Sequence, residues 1–298
     1  MRLKARAKIN WTLDIVGQRT DGYHLMDMLM QPVTLADDIT LTPADEISLT
    51  TGGSPLLPAD ERHLAYRAAL ALKKHTGYPQ GVSIHVEKHI PVGAGMGGGS
   101  ADAAGVLIGL NQMWGLHLPL EELEAVGLTL GADVPFCIRG GLTRTTGIGE
   151  IMEPLPCGSC WPLVVVQPCE GLSTKEIFTA YHEGNVCQRP DNHAAALALA
   201  LADGTALAAA MANVMQPVSE ARRPGIADAI RMLQEQGAFV AQMTGSGSAV
   251  FGVFKDAAQA DAAAKKLGNL WERTFRCETC MESTVIENED LHTTANHY

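Results

Sequence analysis

The 298-residue chain lacks the features that mark membrane proteins, secreted proteins and nucleic-acid-binding proteins. No apolar run approaches the length of about 18 residues that a transmembrane helix requires, and the N-terminus lacks the hydrophobic region of a signal peptide. The net charge of −11 argues against nucleic acid as the main partner, because phosphate backbones attract basic surfaces. We therefore expect a cytoplasmic protein with no membrane and no nucleic acid among its partners.

The cysteines do not form the even set of a disulfide framework. There are seven, scattered along the chain, which indicates reduced thiols. Two C-x-x-C pairs, Cys157 with Cys160 and Cys277 with Cys280, together resemble a four-cysteine zinc site. More than a hundred residues separate the pairs, however, and the second lies in a predicted strand, where residues three apart face opposite sides. We therefore predict no metal site here.

A glycine-rich stretch, Pro91–Ala104, joins two segments of opposite character. Residues 82–87 alternate apolar and polar side chains like a strand, and residues 101–114 have helical spacing without proline. Glycines allow close approach of a ligand to backbone N–H groups, and a helix N-terminus favours anions. Ser100 can cap the helix or bind a phosphate oxygen. The stretch predicts a nucleotide phosphate site; a glycine turn without a ligand is the alternative.

This stretch matches neither common phosphate-binding fingerprint. A Walker loop ends in Gly-Lys-Ser/Thr, whereas Gly98-Gly99-Ser100 has no lysine. Gly93, Gly95 and Gly98 satisfy G-x-G-x-x-G, but a dinucleotide fold would carry that motif on its first strand. About 80 residues precede the motif here, so we expect a different nucleotide fold.

Two segments near the N-terminus carry candidate substrate-binding residues. Leu3–Ile15 alternates without interruption, which predicts a long strand with one buried face. Its other face presents polar side chains, including Lys8 and Asn10, and would hold a polar substrate or merely face solvent. After the Asp-Gly turn that follows, Tyr23 and His24 could pack as a lid over the core or stack on a flat ring.

Asp133 lies on a fixed bend, between a glycine two residues before it and a proline two residues after it. Its neighbours Ala132, Val134 and Phe136 are apolar, so the carboxylate should be partly shielded and in need of a cationic partner, for which Lys8 is a candidate. The alternative is an ordinary turn or helix-cap aspartate.

The second half of the chain predicts strands, alanine-rich helices and one further small-residue loop. Prolines near 155 suggest a boundary, which gives domains at 1–155 and 156–286 and a flexible tail at 287–298. Residues 193–212 and 219–236 each have helical spacing, and residues 273–286 predict a final strand. The loop Thr244–Ala249 offers N–H and hydroxyl donors, or is a plain hairpin turn.

Three motifs, Pro91–Ala104, Gly131–Pro135 and Thr244–Ala249, resemble in order and spacing those of the GHMP family of small-molecule kinases. The resemblance implies a two-domain α/β (α+β) fold, with an N-terminal domain like ribosomal protein S5 domain 2 and a ferredoxin-like C-terminal domain. It implies ATP and Mg²⁺ as cofactors, with Asp133 as general base and Lys8 as its electrostatic partner. ATP would lie along Pro91, Gly93, Gly95, Met96, Gly97, Gly98, Gly99, Ser100, Ala101 and Asp102. Ala101 departs from the pattern, since many relatives carry a second serine there.

The segments at residues 7–10 and 17–24 resemble those of family members that phosphorylate a diphosphocytidyl sugar alcohol in the non-mevalonate isoprenoid pathway. That resemblance implies that Tyr23 and Phe178 sandwich the cytosine while His24 reads its edge. The remaining substrate-binding residues would be Asn10, Thr174, Gly245, Ser246 and Gly247. A kinase of a smaller alcohol and a non-catalytic nucleotide-binding relative are the alternatives, and we expect a monomer or weak homodimer.

Overall fold

The computed structural model describes residues 1–54 and 58–287. In chain order the first half contains β1 (Arg2–Gln18), β2 (His24–Ala44), β3 (Ser48–Gly52), α1 (Leu64–Thr76), β4 (Gly81–Glu87), α2 (Gly98–Met113), α3 (Leu120–Leu128), α4 (Val134–Arg139), β5 (Thr143–Gly147) and β6 (Ile151–Pro154). The second half contains β7 (Pro162–Val166), α5 (Thr174–Ala180), a 3-10 turn (Glu183–Asn185), α6 (Asn192–Leu201), α7 (Gly204–Ala210), α8 (Gln216–Arg222), α9 (Gly225–Glu235), β8 (Val240–Met243), β9 (Val250–Val253), α10 (Ala257–Leu267), β10 (Thr274–Glu278) and β11 (Thr284–Glu287).

The larger of two sheets is built on the first two strands. Its seven strands have the order β11-β1-β2-β4-β3, with β5 paired to β2 and β6 paired to β5. Helix α2 packs on β1 and β2, and α1, α3 and α4 surround it. The predicted apolar face of β1, from Leu3 to Ile15, is buried in full.

The opposite face of β1 is buried from Lys8 onward, which excludes the solvated alternative there, whereas Lys4 and Arg6 are partly exposed. Lys8 is 4% exposed, and Asn10 and Thr12 are fully buried. The cause is a second layer: the backbone N–H of Lys8 donates to Met96 O of the glycine stretch (3.0 Å), and that of Asn10 donates to the Thr244 hydroxyl (3.0 Å). Two loops thus cover the polar face of this strand.

The smaller sheet is antiparallel, in the order β10-β7-β9-β8, with α9 and α10 packed against it. No helix within residues 1–54 and 58–287 is both long and apolar enough to cross a bilayer.

The C-terminal end of the described chain differs from the sequence prediction. Residues 273–286 form two strands rather than one: β10 belongs to the small sheet, whereas β11 returns to the large sheet and pairs with β1, Arg2 opposite Glu287. The boundary predicted at 286/287 therefore falls inside a strand. The rest of the predicted tail, 288–298, lies outside the described residues.

The two long helices predicted in this half are each divided. Residues 193–212 hold α6 and α7, because Ala202 adopts a left-handed conformation and Asp203 caps a new helix through the N–H groups of Thr205 and Ala206. Residues 219–236 hold the end of α8 and all of α9, separated at Pro224.

Candidate active site

A cleft of about 590 Å³ contains most of the predicted site residues. Its walls come from the glycine stretch, from β1, from the start of α4 and, on the small-sheet side, from α5 and the loop between β8 and β9. Lys8, Asn10, Asp133, Thr174 and Phe178 all line it. Residues far apart in sequence therefore meet in one cavity of a size that suits a small ligand.

The glycine stretch has the strand–loop–helix form that its pattern predicts. It follows β4, and Gly93, Gly95 and Gly97 have positive φ values of 67°, 75° and 70°. Gly97 is the N-cap of α2, and no side chain caps that helix start. Ser100 therefore does not cap, which leaves its hydroxyl for a ligand. The free N–H groups and the helix dipole favour an anion at this point.

The third motif packs directly against this loop. A Cβ on Gly95 would lie 2.2 Å from Thr244 O, and one on Gly245 would lie 2.6 Å from Gly95 O. The backbone N–H of Ala249 donates to Ala94 O (3.1 Å). Only glycines permit this approach, so Thr244–Ala249 is a support for the glycine stretch and not a plain hairpin turn.

Asp102, predicted to contact the nucleotide, instead pairs inside the protein with Lys88. Its side chain is fully buried, and Lys88 Nζ donates to Asp102 Oδ2 at 2.8 Å. The other oxygen, Oδ1, is buried without a hydrogen-bond partner among the described residues. Burial raises the pKa of Asp102 well above its ordinary value, against the opposing effect of Lys88.

Lys88 has a second carboxylate partner, Asp37, which sequence reasoning missed. Lys88 Nζ also donates to Asp37 Oδ2, and the other Asp37 oxygen accepts from the N–H groups of His89 (2.7 Å) and Ile90 (2.9 Å). Burial lowers the pKa of Lys88, but the two carboxylates outweigh it and raise that pKa overall. The ammonium group lies under the loop, since a Cβ on Gly98 would be 3.2 Å from Lys88 Nζ.

Asp133 and Lys8 come together as the sequence suggested. Lys8 Nζ lies 3.6 Å from Asp133 Oδ2 and donates to Asn10 Oδ1 (2.7 Å) and Gly95 O (3.1 Å). The Lys8 side chain is 6% exposed and that of Asp133 35% exposed. The buried ammonium group of Lys8, fixed by these two hydrogen bonds, therefore faces the Asp133 carboxylate, which is open to the cleft.

The aromatic residues of the predicted base-binding site lie at the start of β2 and on α5. His24 stacks on Phe178, with ring centroids 5.2 Å apart and planes at 27°. Tyr23 is 61% exposed, since it follows the turn at the tip of the β1–β2 hairpin. Thr174 and Ser246 meet through their hydroxyls at 2.9 Å.

Arg189 is a further residue that no sequence pattern indicated. Its guanidinium donates to Asp14 Oδ1 (2.5 Å) and to Ile15 O (3.0 Å), on β1. Burial raises the pKa of Asp14, against the opposing effect of Arg189. Arg189 also lies near Tyr181, whose ring meets His24 edge-on at 5.9 Å. It thus ties the aromatic group to the large sheet.

Comparison with known proteins decides the family. Residues 63–141 match the GHMP kinases N terminal domain, and residues 195–273 match the GHMP kinases C terminal domain. The chain is 40% identical over 277 residues to the 4-diphosphocytidyl-2-C-methyl-D-erythritol kinase of Alkaliphilus metalliredigens, covering 92% of this chain and 94% of the relative. The chain belongs to the GHMP kinase family.

Other GHMP kinases agree with this assignment. The kinase of the same name from Clostridioides difficile is 38% identical, covering 97% of this chain and 98% of the relative. A crystal structure of 4-(cytidine 5'-diphospho)-2C-methyl-D-erythritol kinase matches with a TM-score of 0.80 and 32% identity, over 94% of this chain and 99% of that one. A homoserine kinase from Cytophaga hutchinsonii matches with a TM-score of 0.75 at 17% identity, over 96% of each chain, which shows the shared fold alone.

The predicted family and the predicted two-domain α/β fold are thus confirmed, and the chain is an ATP-dependent small-molecule kinase. The roles assigned to individual side chains stay predictions.

Proposed function

We propose that this GHMP kinase transfers the γ-phosphoryl group of ATP to the 2-hydroxyl of 4-diphosphocytidyl-2-C-methyl-D-erythritol, a step of the non-mevalonate route to isoprenoid precursors. Relatives named 4-diphosphocytidyl-2-C-methyl-D-erythritol kinase, at 37–42% identity over most of the chain, support the substrate. The observation that carries the chemistry is the Lys8–Asp133 pair, 3.6 Å apart beside the glycine stretch.

ATP would bind with its phosphates at the glycine stretch. The uncapped start of α2 supplies backbone N–H donors. The loop lacks the lysine of a Walker motif. Lys88, buried beneath Gly98, pairs with Asp37 and Asp102, so we propose that it supports the loop and that the backbone N–H groups bind the phosphates.

Mg²⁺ takes oxygen ligands and in kinases is held largely by substrate phosphates and water, with few protein ligands. The Ser100 hydroxyl lines the cleft at the uncapped start of α2 and is a donor of this kind. We propose that Ser100 and the ATP phosphates hold the ion, which leaves Asp133 for the substrate hydroxyl. When bound, it would neutralise charge on the phosphate oxygens.

Asp133 would accept the proton of the substrate hydroxyl as its oxygen attacks the γ-phosphorus. General bases of this kind contribute roughly 10²- to 10⁴-fold to the rate. Lys8 would face the charge that moves between the reactants. Asn10 Oδ1 and Gly95 O hold the ammonium group in place, so that little reorganisation is needed during transfer.

The cytidine end of the substrate would bind at the aromatic group. His24 occupies the face of Phe178 on which a base would stack, so we propose that a cytosine displaces His24 from that face and is covered by Tyr23 on the other. His24 would then read the edge of the base. Asn10, Thr174 and the loop Gly245–Gly247 would contact the rest of the substrate.

The other expectations from the sequence also remain predictions. They are the cytoplasmic location, the lack of nucleic-acid and membrane partners, the monomeric or weakly dimeric state, and the domain boundary near 155, which falls in the segment between β6 and β7. Gel filtration coupled to light scattering measures the oligomeric state directly.

An ADP-release assay with ATP and Mg²⁺ tests the proposed substrate. We expect turnover with the diphosphocytidyl compound and not with mevalonate, homoserine or galactose. Turnover with a simple alcohol instead would keep the kinase assignment but remove the cytosine pocket. Binding of ATP without turnover on any of the four would favour the non-catalytic alternative.

A further inference from the structure

The two C-x-x-C pairs, for which the kinase reaction has no use, come together at the two chain crossings between the sheets. One crossing leads from β6 to β7 and contains Cys157 and Cys160; the other leads from β10 to β11 and contains Cys280. Strands β7 and β10 are antiparallel, with Pro162 opposite Glu278.

The pairing of these strands continues beyond their assigned ends. The N–H of Thr279 donates to Trp161 O (3.0 Å), and the N–H of Trp161 donates to the Thr279 hydroxyl (2.8 Å). Trp161 and Thr279 are therefore opposite each other at a hydrogen-bonded position. Cys160 and Cys280 are the next residues on the two chains in this register.

In an antiparallel ladder, the position after a hydrogen-bonded pair is a non-hydrogen-bonded pair, in which opposite Cα atoms lie about 4.5 Å apart with side chains on the same face. The N–H of Cys280 points the other way, to Pro32 O (2.9 Å), as such a pair requires. Disulfides span Cα separations of about 4.4–6.8 Å, so this register is one that a disulfide can bridge.

The other two cysteines of these pairs are less suited to the reaction. Cys277 is fully buried on the opposite face of β10, and burial raises the pKa of its thiol to about 12. The Cys157 thiol already donates to Ser159 O (3.2 Å) and accepts from the Gln31 amide (3.4 Å), whereas the Cys280 thiol donates to Glu282 O at the longer distance of 3.6 Å. Cys160 is exposed and Cys280 half-buried.

The Cys160 thiol is near enough to Cys280 to affect its pKa. Burial raises the pKa of Cys280 to about 11, the Arg6 guanidinium opposes this, and the negative charge of a Cys160 thiolate adds to it. Within residues 1–54 and 58–287, no group of three or more His, Cys, Asp or Glu side chains could hold a metal ion.

We propose that Cys160 and Cys280 form a reversible disulfide that links the two crossings between the domains. The oxidant is a small-molecule disulfide. The Cys160 thiolate attacks one of its sulfurs, forms a mixed disulfide and releases one small thiolate. Cys280 then loses its proton and attacks the Cys160 sulfur, which releases the second. Two protein thiols and one disulfide thus give one protein disulfide and two small thiols.

Such a bond would stabilise the protein. The segment from Cys160 to Cys280 contains the entire small sheet, so the disulfide restricts a long loop in the unfolded chain. We expect the melting temperature of the oxidised protein to be higher than that of the reduced protein by about 5 °C or more. Reduction of the bond should restore the lower value.

The test treats the native protein with oxidised glutathione and digests it without reduction before mass spectrometry. We expect a peptide pair linked through Cys160 and Cys280, the loss of two thiols, and the rise in melting temperature. Cys160→Ser, at an exposed position, should fold normally and lose all three effects. Cys187→Ser, at another exposed cysteine, should retain them.

Three results would overturn the proposal: a disulfide between Cys157 and Cys160, a disulfide between two molecules, or glutathione that stays on Cys160 without being displaced by Cys280. None of these measurements uses kinase activity. Failure here is therefore separate from failure of the proposed function.

Discussion

Replacing Lys88 with methionine should destabilise the protein far more than a surface charge change. The substitution keeps most of the side-chain volume but leaves Asp37 and Asp102, both fully buried, without their shared cation. Removing one partner of a buried ion pair costs about 3–5 kcal/mol. The pKa of Asp102 is already raised by burial, so this residue can take up a proton and share it with Asp37, which places the loss near the lower end, at about 3 kcal/mol.

Urea unfolding followed by circular dichroism measures this loss. Lys4→Met is the matched control: Lys4 pairs with Asp38 at 2.7 Å in the same sheet, with side chains 44% and 46% exposed, and should lose about 1 kcal/mol or less. Asp102→Asn should also lose less than Lys88→Met, because Lys88 keeps Asp37. The reasoning fails if Lys88→Met and Lys4→Met have equal unfolding free energies.

Four further predictions follow from the cleft and its supports. Asp133→Asn should lower kcat by roughly 10²-fold or more while ATP affinity, measured by calorimetry, is retained; wild-type turnover would remove the general-base role. Tyr23→Ala should raise KM for the cytidyl substrate far more than KM for ATP, whereas equal effects would remove the stacking role. Gly95→Ala should abolish ATP binding, since its Cβ would lie 2.2 Å from a neighbouring carbonyl oxygen; Gly77→Ala, at a similar φ of 70° with open space around it, should bind ATP normally. Burial, with Lys88 adding, lowers the pKa of His63 below its ordinary value of 6.5, so folding favours the neutral ring. The contribution of neutral His63 to the free energy of unfolding should therefore be fully present above about pH 6.5 and should decrease as the pH falls below that value. His63→Asn can still cap α1, so a pH series of melting curves for this variant should show a smaller decrease in melting temperature at low pH.

Local sequence patterns predicted the parts of this kinase that depend on local physics. The alternation of Leu3–Ile15 identified β1 because a period of two has one structural meaning over that length. The glycine stretch predicted the strand, loop and helix correctly because the glycine spacing and the residue types that begin a helix are visible in consecutive residues of the sequence. Asp133 and Lys8 came together as expected, because an aspartate among apolar neighbours needs a cation.

Contacts between distant residues could not be predicted in this way. Lys88 and Asp37 are 51 residues apart, and each looks like an ordinary polar residue, Asp37 within β2 and Lys88 directly after β4. The stacking of His24 on Phe178 depends on how the small-sheet side packs over the β1–β2 hairpin. The division of the helix at Ala202 was missed for another reason: helical spacing continues through it, and only the capping aspartate, Asp203, marks the break.

Identification of the reaction product tests the central claim most directly. The protein is incubated with ATP, Mg²⁺ and 4-diphosphocytidyl-2-C-methyl-D-erythritol, and the product is examined by mass spectrometry and ³¹P NMR. We predict a single new phosphate monoester on the 2-hydroxyl, formed together with one equivalent of ADP. A phosphate on another hydroxyl, or ADP formed without any phosphorylated cytidyl compound, would contradict the proposed placement of this substrate against Asp133.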